Sequence, residues 1–160
     1  MGPDEGFLAR LVEALVTTKL EALIVGATAA VLQGAPVMTR DIDLLVRDTP
    51  LNRKKLEAFA RSLGAARPAP VSELTSTVAI LGSELPIDVL FDRMSGRLSF
   101  ASVRSRAVSL PVGKHVARLA CLEDIIRSKE AAGRKKDALH LPVLRETLRV
   151  NQALSKKKPE

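Results

Sequence analysis

Two aspartates separated by one apolar residue open an otherwise apolar run, Asp41-Ile42-Asp43-Leu44-Leu45-Val46. On a strand, side chains alternate between faces, so Asp41 and Asp43 point one way while Ile42 and Leu44 pack on the other. Neighbouring carboxylates on one face repel each other unless a cation lies between them. Hard divalent ions such as Mg²⁺ take oxygen ligands and are held by one or two carboxylates together with substrate phosphates. The pair therefore points first to phosphoryl or nucleotidyl transfer. Its structural alternative is a pair of solvated acids on an edge strand.

Other function classes are excluded by what the chain lacks. Four Phe and no Tyr or Trp argue against base recognition on aromatic platforms, although Arg planes could still stack. One cysteine, Cys121, cannot form an internal disulfide, and with only His115 and His140 there is no Cys-based zinc cluster. Acids near the start, Asp4 and Glu5, and the lack of any apolar run approaching roughly 20 residues argue against a signal peptide or membrane span. The expectation is a soluble cytoplasmic protein with no membrane partner. At 160 residues, 46% hydrophobic and 27% charged, it reads as one globular domain, 1–160. The net charge of +7 suits polyanionic partners such as nucleotides or RNA, with the tail Lys156-Lys157-Lys158 read as a solvated end.

Apolar spacing predicts a helix over about residues 4–18, a buried strand Ala22-Leu23-Ile24-Val25 ending at Gly26, and a short helix from Ala27 to Gln33. The acidic strand follows. Asp48-Thr49-Pro50 starts a helix that Gly64 stops, and Ala65 to Pro70 reads as a loop. Two strands, 77–81 and 87–91, form a hairpin around Gly82-Ser83. A short helix near Phe100, strands around 108–112 and 116–119, and helices at about 122–132 and 136–154 complete an α/β chain, its core at about 20–120 and its helical C-terminal part at about 122–154.

A third acid, Asp88, lies inside the apolar strand Ile87–Phe91, where an unpaired charge is costly, so a metal ion or a salt bridge is expected there. Asp92 is a reserve acid at the strand end, read as capping a turn. Gly26 lets a phosphate approach the backbone, with the N–H groups of Ala27, Thr28 and Ala29 facing it.

Together these residues resemble the minimal nucleotidyltransferases of the polymerase-beta-like superfamily. The resemblance rests on Leu23-Ile24-Val25-Gly26-Ala27-Thr28-Ala29-Ala30 through Gln33-Gly34, on Thr39-Arg40-Asp41-Ile42-Asp43-Leu44-Leu45-Val46, and on Pro86-Ile87-Asp88-Val89-Leu90-Phe91. The stretch from Leu122 through Lys129 to Asp137 looks like the C-terminal signature of abortive-infection toxin-type nucleotidyltransferases. The resemblance implies a mixed twisted sheet flanked by helices and transfer of NMP from an NTP such as ATP to an acceptor hydroxyl on RNA, protein or a small molecule. It implies Mg²⁺ or Mn²⁺ held by Asp41, Asp43 and Asp88. Gly26, Ala27, Thr28 and Thr39 would meet the nucleotide. Lys129 and Asp137 would contact phosphate, position the acceptor or support the site, and an antitoxin protein becomes a candidate partner.

The chain departs from the family at two places. Ala27 stands where a second Gly or Ser is usual, and Gln33-Gly34-Ala35-Pro36-Val37 replaces His-Gly-x-x-Arg, while alternation is expected to turn Arg40 away from Asp41. A catalytically silent nucleotide-binding module is therefore the alternative. On their own, Lys129 reads equally as a surface residue, Asp137 as a helix cap, His140 as packing or surface, and Cys121 as a small core residue.

Overall fold

The computed structural model describes residues 4–64, 66–71 and 77–157. Helix α1 (Glu5–Thr18) starts where the Asp4 side chain accepts the Gly6 N–H, and Phe7, Leu8, Leu11 and Val12 form its buried stripe. Strand β1 (Ala22–Val25) runs straight into α2 (Gly26–Leu32), and β2 (Ile42–Val46) follows. Helix α3 (Pro50–Ser62) has Pro50 in its first turn and Thr49 capping the Asn52 N–H. Then come β3 (Arg67–Pro70), β4 (Val78–Leu81), β5 (Ile87–Phe91), the short ribbon β6 (Arg93–Met94) and β7 (Leu98–Ser99), and α4 (Phe100–Ser105). The hairpin β8 (Val108–Val112) and β9 (His115–Leu119) leads to α5 (Leu122–Ala132) and α6 (Lys135–Lys157).

Seven strands form one mixed sheet in the order β3-β4-β5-β2-β1-β9-β8. Its centre is β2, antiparallel to β1 and parallel to β5. Ile42, Leu44, Leu45 and Val46 are all 0% exposed although they alternate between faces, so the sheet is covered on both sides here. Asp43 is the one polar interruption. Helices α1 and α3 pack together, and α2, α5 and α6 form a second group. One hydrophobic cluster runs through both layers.

The expected α/β architecture, the β4–β5 hairpin and the helical C-terminal part are all present. The expected loop before the hairpin is instead partly strand. Pro68 and Pro70 are tolerated in β3 because, among the described residues, it is an edge strand with a neighbour on one side only. The ribbon β6–β7 was not legible, because two-residue strands show no periodicity. Helix α6 extends further than its pattern suggests and contains Pro142, whose side chain is exposed. Ala65 of the expected loop and Lys158 of the basic tail lie outside the described residues. Among the described residues, no helix is long and apolar enough to cross a membrane.

Leu44→Ala should cost about 2–5 kcal/mol, because it empties a fully enclosed position at the sheet centre. Denaturant titration should show a lower midpoint at an unchanged slope. A loss below about 1 kcal/mol would contradict burial of β2 on both faces.

Candidate active site

The parallel pairing of β2 with β5 places Asp43 directly opposite Asp88, both side chains on one face of the sheet. Leu45 and Leu90, two residues further along, are register partners on the same face and form an apolar floor behind the two acids. On the other side of β2, Asp43 faces Val25, the last residue of β1. Gly26 follows with φ +69°, and a Cβ there would lie 2.5 Å from Asp43 Oδ2. Glycine is thus required twice, by its left-handed backbone and by the carboxylate pressed against it.

Asp41 lies just before β2 and is exposed. Its backbone carbonyl accepts hydrogen bonds from Thr28 Oγ1 at 2.6 Å and Thr39 Oγ1 at 3.4 Å. The Thr28 side chain is buried and occupied with holding Asp41, and Thr28, expected to meet the nucleotide, does not line the cleft. Gly26, Ala27 and Thr39 line a cleft of about 570 Å³ together with Asp41, Asp43 and Asp88. Arg40 lines it too. Strand alternation does not govern Arg40, because regular pairing begins only at Ile42.

The opposite wall comes from the joint between α5 and α6 and is basic: Lys129, Arg134, Lys136 and His140. Lys129 is buried, and its Nζ donates to Asp137 Oδ1 at 3.1 Å and lies 3.4 Å from His140 Nδ1. Asp137 is 0% exposed and does not line the cleft. It also accepts from the Arg134 backbone N–H at 3.1 Å and from Arg134 Nε at 2.8 Å, which anchors the first turn of α6. Helix capping and support of Lys129 are thus one role. Burial pushes the Asp137 carboxyl up, but the Arg134 and Lys129 hydrogen bonds more than reverse that and hold it at about 2. His140 is pushed below its ordinary value by burial and by the Lys129 charge.

The acidic wall has the opposite character. Burial, then the charge of Asp88, raises Asp43 to about 6, against the pull of Lys136 and Arg134. Asp88 is raised by burial and by the Asp41 charge. Such a wall lacks positive charge, and hard oxygen donors of this kind fit a divalent cation. Among the described residues, no three His, Cys, Asp or Glu side chains are grouped so as to hold a metal ion as they stand. The structure therefore brings Asp43 and Asp88 together, with Asp41 at the mouth and Lys129 across the cleft, and sets Asp137 behind Lys129. Local pattern assigns Arg134 and Lys136 no role and turns Arg40 away from Asp41, yet all three line the cleft. A cluster of cations at a helix start, Arg134-Lys135-Lys136, was the available signal.

No family model and no curated protein matches the chain. Solved structures do. The antibiotic-resistance factor ANT(2″)-Ia, in complex with adenylyl-2″-tobramycin, aligns with TM-score 0.65 at 16% identity over 90% of this chain and 88% of that one. A solution structure of ANT(2″)-Ia aligns with TM-score 0.59 at 17% identity over 95% and 94%. The Thermotoga maritima protein TM1012, a nucleotidyltransferase by assignment, gives TM-score 0.59 at 16% identity over 94% and 91%. The chain has a nucleotidyltransferase fold.

The raised Asp43 means that the folded state binds this proton more tightly than the unfolded chain does. Its contribution favours the fold below about pH 4 and is lost as the pH climbs through 6. Without added metal, Asp43→Asn should therefore be more stable than wild type at pH 7, by up to about 3 kcal/mol, with the gap closing toward pH 4. Denaturation at both pH values checks this, and an equal gap at each would contradict it.

Asp137→Asn should cost about 3–5 kcal/mol, because it leaves Lys129 buried without its counter-charge. Pairing it with Lys129→Met should recover much of the loss. Glu146→Gln, at the exposed Arg149 pair, should leave the melting temperature unchanged within error.

Proposed function

We propose that this chain is a metal-dependent nucleotidyltransferase that moves NMP from an NTP to an acceptor hydroxyl. The observation that carries the reading is the paired Asp43 and Asp88 beside Gly26, facing Lys129, Arg134 and Lys136 across one cleft. Asp41 and Asp43 would hold Mg²⁺ or Mn²⁺, with Asp88 completing the set or taking the acceptor proton. When bound, the ion supplies Lewis-acid stabilisation of phosphoryl oxygens.

The chain's own residues supply the remainder. The backbone N–H groups of Gly26 and Ala27, at the start of a short helix lining the cleft, suit the triphosphate. In the transfer, the acceptor oxygen bonds to the α-phosphorus, its proton passes to a carboxylate oxygen, and the bridging P–O bond breaks to release pyrophosphate. Lys136, Arg134 and Lys129 balance the charge that accumulates on the leaving group. ATP is the first nucleotide to test, since the complex of ANT(2″)-Ia holds an adenylyl product. RNA is an acceptor consistent with the net charge of +7. A toxin-type role restrained by an antitoxin protein rests on the resemblance of residues 122–137 alone.

The catalytically silent reading has its own support. Val37 is buried, Ala27 offers no hydroxyl, and the three acids are not closed into a cage. Binding and transfer measured together separate the two readings.

With ATP and Mg²⁺, wild type should melt several degrees higher, because a ligand bound only by the native state stabilises it. Asp43→Asn should lose that rise. Asp88→Asn should keep most of it and lose transfer of label from α-labelled ATP to RNA, protein or small-molecule pools. Tight binding with no transfer by wild type, and the same behaviour in Asp88→Asn, would establish the silent module instead.

A further inference from the structure

A second cavity, of about 430 Å³, opens at the other end of β1 from Gly26, between α1, α4 and β9. Its floor is apolar: Leu15, Leu20, Leu23 and Phe100. Val16 and Val116 also line it and are 44% and 54% exposed, so two valines stand in solvent at the lips of an apolar groove. Its charged residues are Lys19, Arg104, Arg118 and one acid, Glu21. That acid is already shared, accepting from Arg47 Nε at 2.9 Å and lying 3.7 Å from Arg104 Nη1. Among the described residues, Lys19 and Arg118 have no acidic side chain within ion-pair distance.

The groove also borders a free sheet edge. Ser109 of β8 lines it, and among the described residues β8 ends the sheet with β9 as its only strand neighbour. As an edge strand it is the place where an extended segment could add, and Pro111 in it has no N–H to give.

We propose that this groove docks an extended acidic segment of a partner protein, with an apolar side chain seated on the Leu15–Phe100 floor and carboxylates against Lys19, Arg104 and Arg118. Charge complementarity selects that occupant. A second copy of a chain with net charge +7 would bring like charge to a cationic rim. An apolar anchor without acids would leave Lys19 and Arg118 unmatched among the described residues.

The test uses the 160-residue chain and a fluorescein-labelled acidic hexapeptide with a central Leu-Phe pair, followed by anisotropy. Binding should saturate and should weaken severalfold between low and 0.3 M salt, as charge screening requires. Arg118→Glu and Lys19→Glu should each weaken it by at least about tenfold, or 1.4 kcal/mol. Val116→Asp should do so by removing an apolar lip. All three positions lie away from the catalytic cleft, so the melting shift with ATP and Mg²⁺ should match wild type and report an intact fold. Several outcomes would overturn the proposal: no binding, equal binding of a lysine-for-acid control peptide, binding of a fatty acid but not the peptide, or a wild-type dimer that Val116→Asp dissociates.

Discussion

A carboxylate enclosed beside another carboxylate is unfavourable wherever it occurs, and the cleft of this protein is arranged around such a group. Asp43 has Asp88 as its register partner on one side and the Gly26 turn pressed against it on the other, so it cannot swing away from either. Burial and repulsion together hold its proton to about pH 6. Only positive charge relieves this. Lys136 and Arg134 supply part of it from across the cleft, and a bound cation would supply the rest. The same imbalance that makes the paired acids costly on their own would favour a cation placed between them.

The basic wall depends on a second enclosed charge that is fully matched. Asp137 is buried with hydrogen bonds from Lys129 and Arg134, and these overcome the burial penalty that Asp43 still bears. This fastens the first turn of α6 to α5 and sets the direction from which Lys129, Arg134 and Lys136 meet the acids. Asp137 thus touches the cleft only through Lys129, whose ammonium it holds, and Arg134. The contrast between the walls is physical: one acid has two cationic donors within hydrogen-bond distance, the other has none.

Both cavities use the same short strand. At one end of β1 the chain turns into α2 and shapes the acidic cleft, while at the other Glu21 is neutralised by Arg47 and Arg104 within a basic, apolar-floored groove. A four-residue strand cannot separate its ends by more than about 14 Å. The two cavities therefore lie close together along one short strand.

Much was decided by local sequence. Alternation around Asp41-Ile42-Asp43, the Gly26 stop, the Thr49-Pro50 helix start and the apolar spacing of α1 and α5 each have a short-range cause, and the mixed fold follows from their order. Gly26, Asp43 and Asp88 could be picked out because a glycine at a strand end and acids inside apolar strands contradict ordinary propensity. Tertiary structure decided what those residues meet. The parallel pairing of β2 with β5 made Asp43 and Asp88 neighbours across 45 positions, which no periodicity encodes. Packing of α6 on α5 buried Lys129 with Asp137 and turned Lys136 toward the acids, although the same Arg134-Lys135-Lys136 run reads alone as a solvated helix start. The late start of β2 freed Arg40 from strand alternation, and the edge position of β3 admitted two prolines that read locally as a loop. Local propensity sets each element, but the energy of a charge depends on every group within a few ångströms, and only the folded chain brings those groups together.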